Sequence, residues 1–552
     1  MIRVLFIPTI FLLALGLLCF LLSATPLSYS EKTTITFCLG DEIKTLDPGR
    51  MSWMNDIRVA MCIWEGLTAY DPDTLAPVPG MAESWDVSPD GKTYTFHLRL
   101  DATWSNGDPV TSADFLFAWK RILTPSTGAD YIGLFKGIVG AEAYTDVIDK
   151  KQPADFTAVG ISAPDPHTLV VHLTAPCSYF LDMCAFPPFF PLNQKSMQPF
   201  LDSANPDAGY QSNWARPPYI VGNGPYLLRE WKFKQFLTLE ANPRYWDRKN
   251  VRCQQLLIKS ITDPRTSLLA YQQGGVDVIQ FPVNPQFGED MLYANADGQR
   301  HDVFFRPVFG SYYFMFNCSR KPYDDKRVRK ALALAIDRTR IVRDITRLQQ
   351  QPLGVIVPPD FIPGYHSPDP LPMDIEEARR LLAEAGFPNG QGFPTIEILY
   401  SNEVLTHGFI AQAIGQMWEQ NLGLHVTYRG TERSSFGEAK RSQNFDVARG
   451  GWYGDYLDPT TWLDILRSND GNNDGKFSDP HYDALLNQAA LEFNPAKRMA
   501  PLTQAEAILV HDQFPFIPLY QYSDGLIYDP TKIQGLSLND RMLTPLKWIH
   551  RK

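Results

Sequence analysis

Between Ala448 and Pro459 the chain sets Arg449, Trp452, Tyr453, Asp455, Tyr456 and Asp458 into a stretch broken by Gly450, Gly451 and Gly454. Rings, a guanidinium and carboxylates placed this closely suit the capture of a charged group. Aromatic walls exclude water and lower the local dielectric, so a carboxylate among them pairs strongly with a cation such as an ammonium. The residue types leave a second use open, because Asp ahead of Pro commonly caps a helix, here one starting near Thr460. Other chemistry-bearing motifs are sparse. No GxSxG or HExxH occurs, so an exported hydrolase is the weakest alternative. No CxxC or His/Cys cluster has zinc-site spacing. Asp470-Gly471-Asn472-Asn473-Asp474-Gly475 begins like an EF-hand loop, but His481 stands where calcium requires a bidentate Glu. It reads as a polar turn. No catalytic residue, metal or cofactor is expected.

The elements that must hold these residues are an extended run before the loop and a helix after it. In the first half, Trp85, Val87, Tyr94, Phe96, Leu98 and Leu100 alternate around Pro89-Asp90-Gly91, a hairpin signal. Asp108-Pro109 and Ser112 precede a helix over Phe115–Ile122, with Asp114 in its first turn. Proline-rich stretches at 177–191 and 203–218 suit a lobe boundary, and Gly222-Asn223-Gly224-Pro225 opens a strand run from Tyr226 to Leu239. In the second half, Asp325 caps a helix carrying Val328, Ala331, Leu332, Ala335 and Ile336 at helical spacing. Asp374 and Glu377 form a capping box for a helix over Glu376–Ala385 that Gly386 and Pro388 stop. A strand at Thr395–Tyr400, a helix at Thr406–Asn421 and a strand at Leu424–Tyr428 complete a βαβ rhythm, which predicts an α/β lobe.

At 552 residues the chain exceeds what one core organises, so two or three lobes are expected. A formal charge of −10 argues against a nucleic-acid surface, which needs clustered Lys and Arg. Arg3 followed by apolar Val4–Leu22, with small residues at Ser28 and Ser30, predicts an export segment cleaved near Ser30; an uncleaved anchor is the alternative. Cys19 lacks the preceding small residue that lipoprotein processing prefers. No later apolar run is long enough to span a membrane, so the mature chain is expected to be soluble. Beyond Cys19, the cysteines are Cys38, Cys62, Cys177, Cys184, Cys253 and Cys318. Export permits disulfides, Cys177 with Cys184 being nearest in sequence, but free thiols remain open.

Four ordered blocks together resemble the periplasmic oligopeptide- and dipeptide-binding proteins of ABC importers, bacterial extracellular solute-binding family 5, most closely the oligopeptide branch. The first runs through Met81-Ala82-Glu83-Ser84-Trp85, Asp90-Gly91, Tyr94–Arg99 and Trp104-Ser105-Asn106-Gly107-Asp108-Pro109-Val110. Asn317–Lys321, Tyr323-Asp324-Asp325, Val328-Arg329 and Ala331–Arg338 form the second, Arg379–Gly386 the third and Trp452–Pro459 the fourth. The resemblance implies a three-domain α/β periplasmic-binding-protein clamshell with hinged lobes and an inserted domain. Domain I would comprise residues 31–64, 213–309 and 523–552, domain II 65–212 and domain III 310–522.

A peptide is a zwitterion with a row of backbone donors and acceptors, so enclosing one needs an anion, a cation and strand-like pairing. Water in roomy pockets can adapt to its side chains. The resemblance implies that Asp455, flanked by Trp452 and Tyr456, binds the ligand's ammonium, and that Arg449 and His407 meet its carboxylate. Tyr313 and Tyr522 would be cleft aromatics, and alternation lets only one of Tyr312 and Tyr313 face the ligand. Ser52–Met54 would be an extended segment pairing with the ligand backbone. Arg433 stands where oligopeptide binders often carry Trp, which would favour acidic ligands. Gly310 and Tyr453 stand near a cysteine pair found in some relatives. The implied partners are short peptides and a membrane-embedded ABC permease, for an exported, periplasmic monomer. The alternative is a non-peptide solute such as a nickel complex or haem.

Overall fold

The computed structural model describes residues 34–552 apart from 41, 151, 153–154, 202–209, 283–300, 469, 493 and 538. The expected export segment with Cys19, and part of the proline-rich stretch 203–218, lie outside the described residues. Among the described residues no helix is long and apolar enough to cross a membrane.

A large mixed sheet runs through the molecule. Its strands, from one edge to the other, are Val426–Thr431, Ile396–Ser401, Val447–Tyr453, Val303–Phe316, Phe516–Tyr528, Val278–Pro282, Thr34–Cys38, Gln255–Lys259, Phe236–Ala241 and Tyr226–Lys232. Ile396–Ser401 pairs in parallel with both its neighbours, the βαβ pattern expected there, and Thr34–Cys38 does the same at the other end. Between these groups lie the two long antiparallel strands. Val303–Pro307 faces Ser523–Ile527, and Ser311–Met315 faces Phe516–Gln521, with a register break between Pro307 and Ser311. At the break Phe309 N–H bonds to the Asp540 carbonyl at 2.7 Å and the Phe309 carbonyl accepts from Gly454 at 2.8 Å. A break of this kind bends and twists a ribbon.

Helices cover both faces of the Ile396–Phe316 end. Lys326–Leu334, Ile375–Glu384 and Leu405–Leu422 bury Val328, Leu332, Leu382, Ile410, Ile414 and Trp418 on one face. Arg433–Arg441, Pro480–Leu491 and Pro495–Ala507 bury Phe436, Tyr482, Leu486 and Leu502 on the other. The caps follow the sequence: Asp325, Asp374 and Asp479 each accept a main-chain N–H in the first turn. Glu377 turns to Arg380 rather than back to its cap.

A separate antiparallel sheet orders Ala82–Val87, Thr93–Leu98, Thr168–His172 and Ile161–Asp165. The expected hairpin is its first pair, but Leu100 falls outside it and is exposed. The packed helix begins at Ser112, three residues earlier than expected, because Thr111 and Asp114 close a capping box. Its own Phe115 and Trp119 form the packed face, fully buried. One expectation is corrected: the run Tyr226–Leu239 is two strands, Tyr226–Lys232 and Phe236–Ala241, separated at Lys234 with φ 58°. The proline-rich stretch 177–191 is buried from residue 182 onward.

Candidate functional site

The strand Val447–Tyr453 delivers the ligand loop, and the glycines within it are where rings approach the backbone. A Cβ on Gly450 would strike the Tyr313 ring, one on Gly451 the Tyr522 hydroxyl, and one on Gly454 Phe309 and Trp462. The two carboxylates of the loop then divide the work that the residue types left open. Asp458 is the helix cap: its Oδ1 accepts from Thr460 N at 3.0 Å and Thr460 Oγ1 at 2.7 Å, and it forms a buried ion pair with Arg498. Asp455 caps nothing. Its N–H donates to Thr461 Oγ1 at 3.1 Å, its carbonyl accepts from Arg541, and its Oδ1 accepts from the Tyr131 hydroxyl at 3.1 Å. The residue is partly buried. Burial pushes its carboxyl up to about 6, against the pull of Tyr131 and of the Arg541 charge. An ammonium brought beside it would find a carboxylate that forms no ion pair among the described residues.

Trp452 stands beside it, with Nε1 donating to Thr461 Oγ1 at 3.3 Å. Tyr456 turns away to stack on Tyr179, centroids 4.1 Å apart and planes 8° off parallel, and is buried. It walls the loop rather than facing open space.

The far end of the same strand carries a cation. Arg449 donates from Nη2 to the Tyr522 hydroxyl at 2.7 Å and lies 4.9 Å from the centroid of Tyr312. Its Nε has no hydrogen-bond partner among the described residues. Burial opposes its charge, but the Tyr522, Tyr312 and Tyr520 hydroxyls outweigh that and hold its pKa above the ordinary value. His407, in the first turn of Leu405–Leu422, meets the Tyr312 hydroxyl through Nδ1 at 3.1 Å. Burial, with the Arg449 charge, pushes the imidazole down to about 2, so it is neutral here. Tyr522 stacks on Tyr453, centroids 4.6 Å apart, and Tyr453 in turn faces Gly310 across the ladder. A Cβ on Gly310 would strike both rings.

Three site expectations need correcting. It is Tyr312 that meets Arg449 and His407; Tyr313 faces the opposite way, against Phe516 at 5.8 Å, as strand alternation requires. Met54 is not extended but opens the helix Met54–Ile63, with Trp53 as its extended N-cap. Arg433 does not stand free in the cleft. Its guanidinium lies 3.4 Å from the centroid of Trp53, the same distance as Lys44 Nζ, and 4.0 Å from Glu403. Ser52 donates to Asp130 at 2.6 Å.

Nothing in the sequence pointed to Tyr131, Asp182 or Arg541, because each reaches the loop from remote chain. Aromatics and buried charges of this kind stand out only after folding. The described cysteines are free thiols. The described residues include no group of three His, Cys, Asp or Glu arranged to hold a metal. Within the EF-hand-like turn, Asp470 Oδ1 accepts from Asn472 N at 2.8 Å and Asp474 pairs with Lys440 at 2.7 Å.

The geometry is a cation on the strand Val447–Tyr453 and a carboxylate in the turn that follows it, with aromatics between. Residues 76–474 match the family model for bacterial extracellular solute-binding proteins, family 5. The oligopeptide-binding protein OppA of Bacillus subtilis (strain 168) is 34% identical over 505 residues, covering 90% of this chain and 89% of its own. A periplasmic oligopeptide-binding protein of Borrelia burgdorferi has the same fold, with a TM-score of 0.81 at 29% identity, over 94% of this chain and 100% of that one. Haemophilus influenzae OppA in complex with RPPGFSPFR matches with a TM-score of 0.78 at 29% identity, over 95% and 99%. The fold is the multi-domain clamshell of these proteins. The chain belongs to the bacterial extracellular solute-binding proteins of family 5.

Proposed function

We propose that this protein, exported to the periplasm, encloses short peptides between its lobes and hands them to an ABC-type importer without altering them. Asp455 carries the reading: a partly buried carboxylate, spared from capping by Asp458 and walled by Trp452, is placed to take a peptide's ammonium. Arg449, with an unpaired Nε, would take the carboxylate. The strand Arg449–Tyr453 spans roughly 13 Å, close to the length of about four extended peptide residues. Tyr522 and Tyr312 line the interval, and the segment of Ser52 and Trp53 would face it from the other lobe. The peptide-loaded Haemophilus relative supports this reading.

On this reading residues 31–64, 213–309 and 523–552 would form one lobe, 310–522 the facing lobe and 65–212 an inserted domain, a division that the strand order supports. The crossings at the register break of Val303–Phe316 and its partner strand would be the hinges. Asp455→Asn should weaken tri- and tetrapeptides with a free amino end about 100-fold, since a charge-assisted contact is worth roughly 1.5–3 kcal/mol. N-acetylated versions should change less than about twofold. Titration calorimetry decides it, and equal losses for both ligands would remove the assignment. Native mass spectrometry of the freshly isolated protein should show masses of short peptides; a metal complex or haem instead would overturn the peptide reading.

A further inference from the structure

The turn carrying Asp455 is gripped by an ion pair that belongs neither to the strand before it nor to the helix after it. Arg541 directs Nη1 to Asp182 Oδ1 at 2.6 Å, and Nη2 to the Tyr70 hydroxyl at 3.2 Å and to the main-chain carbonyl of Asp455. The other oxygen of Asp182 accepts the main-chain N–H of Leu457 at 3.2 Å. One pair therefore holds a carbonyl at 455 and an N–H at 457, and leaves the Asp455 carboxylate to Tyr131 and to a ligand. Between these points Tyr456 lies flat on Tyr179. The pair is buried, with side chains only 4% and 8% exposed.

Arg541 and Asp182 are anchored away from the loop. Next to Arg541, the Met542 carbonyl accepts from Arg58 Nε at 3.0 Å, and Thr544 donates to Gln280 at 2.9 Å. Asp182 lies in the short helix Phe180–Met183, whose carbonyls at Leu181 and Asp182 accept from Thr68 and Tyr70. All these partners fall outside residues 310–522, the segment that carries the loop. Both members of the ion pair are thus held by partners outside the segment that carries the loop, and the 455–457 backbone bonds to them.

We propose that Arg541 and Asp182 are positioning residues of the ammonium site, clamping the 455–457 backbone so that the site is completed only when the two lobes meet. This rests on the peptide reading for the identity of the ligand, but the clamp itself can be observed without one. A buried ion pair is costly to desolvate and is retained where its remaining hydrogen bonds are used. Here those bonds are the loop's own backbone, which couples closure to ligand capture: a peptide that bridges Asp455 and the opposite lobe stabilises the closed state by contacts absent from the open one. Arg541 also sets a positive charge against Asp455 from behind. Tyr131 faces the carboxylate directly, and Asp182 lies beyond Arg541.

The test compares wild type with Arg541→Gln, Arg541→Lys and Asp182→Asn, all first checked for folding by circular dichroism. Amide exchange at Leu457 is followed in the empty and peptide-loaded protein, and peptide affinity is measured across pH. In Arg541→Gln, Asp182 loses its ion-pair partner, so its bond from the Leu457 N–H should loosen and Leu457 should exchange about tenfold faster. Free-amine and N-acetylated peptides should both weaken about tenfold, unlike in Asp455→Asn, because closure itself is impaired. The pH midpoint for free-amine binding should rise, and Arg541→Lys should recover part of each effect. Asp182→Asn should repeat the exchange result should Arg541→Gln not fold. Folded variants with wild-type Leu457 exchange, empty and loaded, and an unmoved pH midpoint overturn the proposal. A wild type that binds no peptide removes the peptide reading instead, and leaves Leu457 exchange to decide the clamp.

Discussion

The Asp455 carboxyl, held up to about 6 by burial, makes a pH signature for the ligand. An ammonium alongside draws the carboxyl down, so the loaded protein binds fewer protons than the empty one below about pH 6. On the proposed reading, affinity for free-amine peptides is full between about pH 6 and the deprotonation of the ligand's own amine at about pH 8, and falls as pH drops through the lower value, approaching tenfold per unit. Tyr131 and Arg541, which face Asp455, keep their charge states in this range, both shifted upward. His407, pushed down to about 2, adds nothing there. Calorimetry from pH 8 to 4.5 should show the fall for free-amine peptides and a flat profile for N-acetylated ones. Parallel profiles would place the titrating group elsewhere.

At the scale of the element, the loop works because the short helix Thr460–Leu463 has its own carboxylate. Asp458 caps it and neutralises Arg498 of the helix Pro495–Ala507. Asp458→Ala leaves a buried guanidinium unpaired and should cost about 3–5 kcal/mol of stability. Asp455→Asn replaces a desolvated carboxylate by a neutral group, so its urea midpoint should be no lower than that of wild type. A reversal of this order in equilibrium unfolding would mean that the two carboxylates have been assigned the wrong way round. The ladder beside them shows the same economy: Gly310 leaves room that Tyr453 and Tyr522 fill, where a larger residue would strike both rings.

Across the whole molecule, contacts between distant segments decide which surfaces meet over the ligand. Trp53, at the start of the helix Met54–Ile63, lies under Arg433 from the other half of the sheet and beside Lys44. Cation–π contacts of this kind are worth about 0.5–2 kcal/mol, little enough for a ligand carboxylate to compete for the guanidinium. Peptides with an acidic residue should therefore bind more tightly than neutral analogues, and Arg433→Ala should erase the difference. Competition between paired acidic and neutral peptides measures it; no preference in wild type, or none lost in the variant, counts against Arg433 as a specificity residue.

Local patterning settled much of this protein in advance. Alternation and capping signals specified the hairpin around Asp90, the caps at Asp325 and Asp374 and the βαβ end of the sheet, because period and side-chain capping are properties of a few adjacent residues. The loop stood out in the sequence as a candidate site. The residue types did not say which of its carboxylates caps the helix; the family resemblance pointed to Asp455 for the ligand, and Asp458 is tied down by Arg498 from a remote helix. The split of Tyr226–Ala241, the burial of 182–193, the turn of Tyr313 away from Arg449, the stacking of Trp53 under Arg433 and the approach of Tyr131, Asp182 and Arg541 were not legible. Those were decided by tertiary structure alone, because a buried charge or ring is given its role by whatever chain-distant partner excludes water from it.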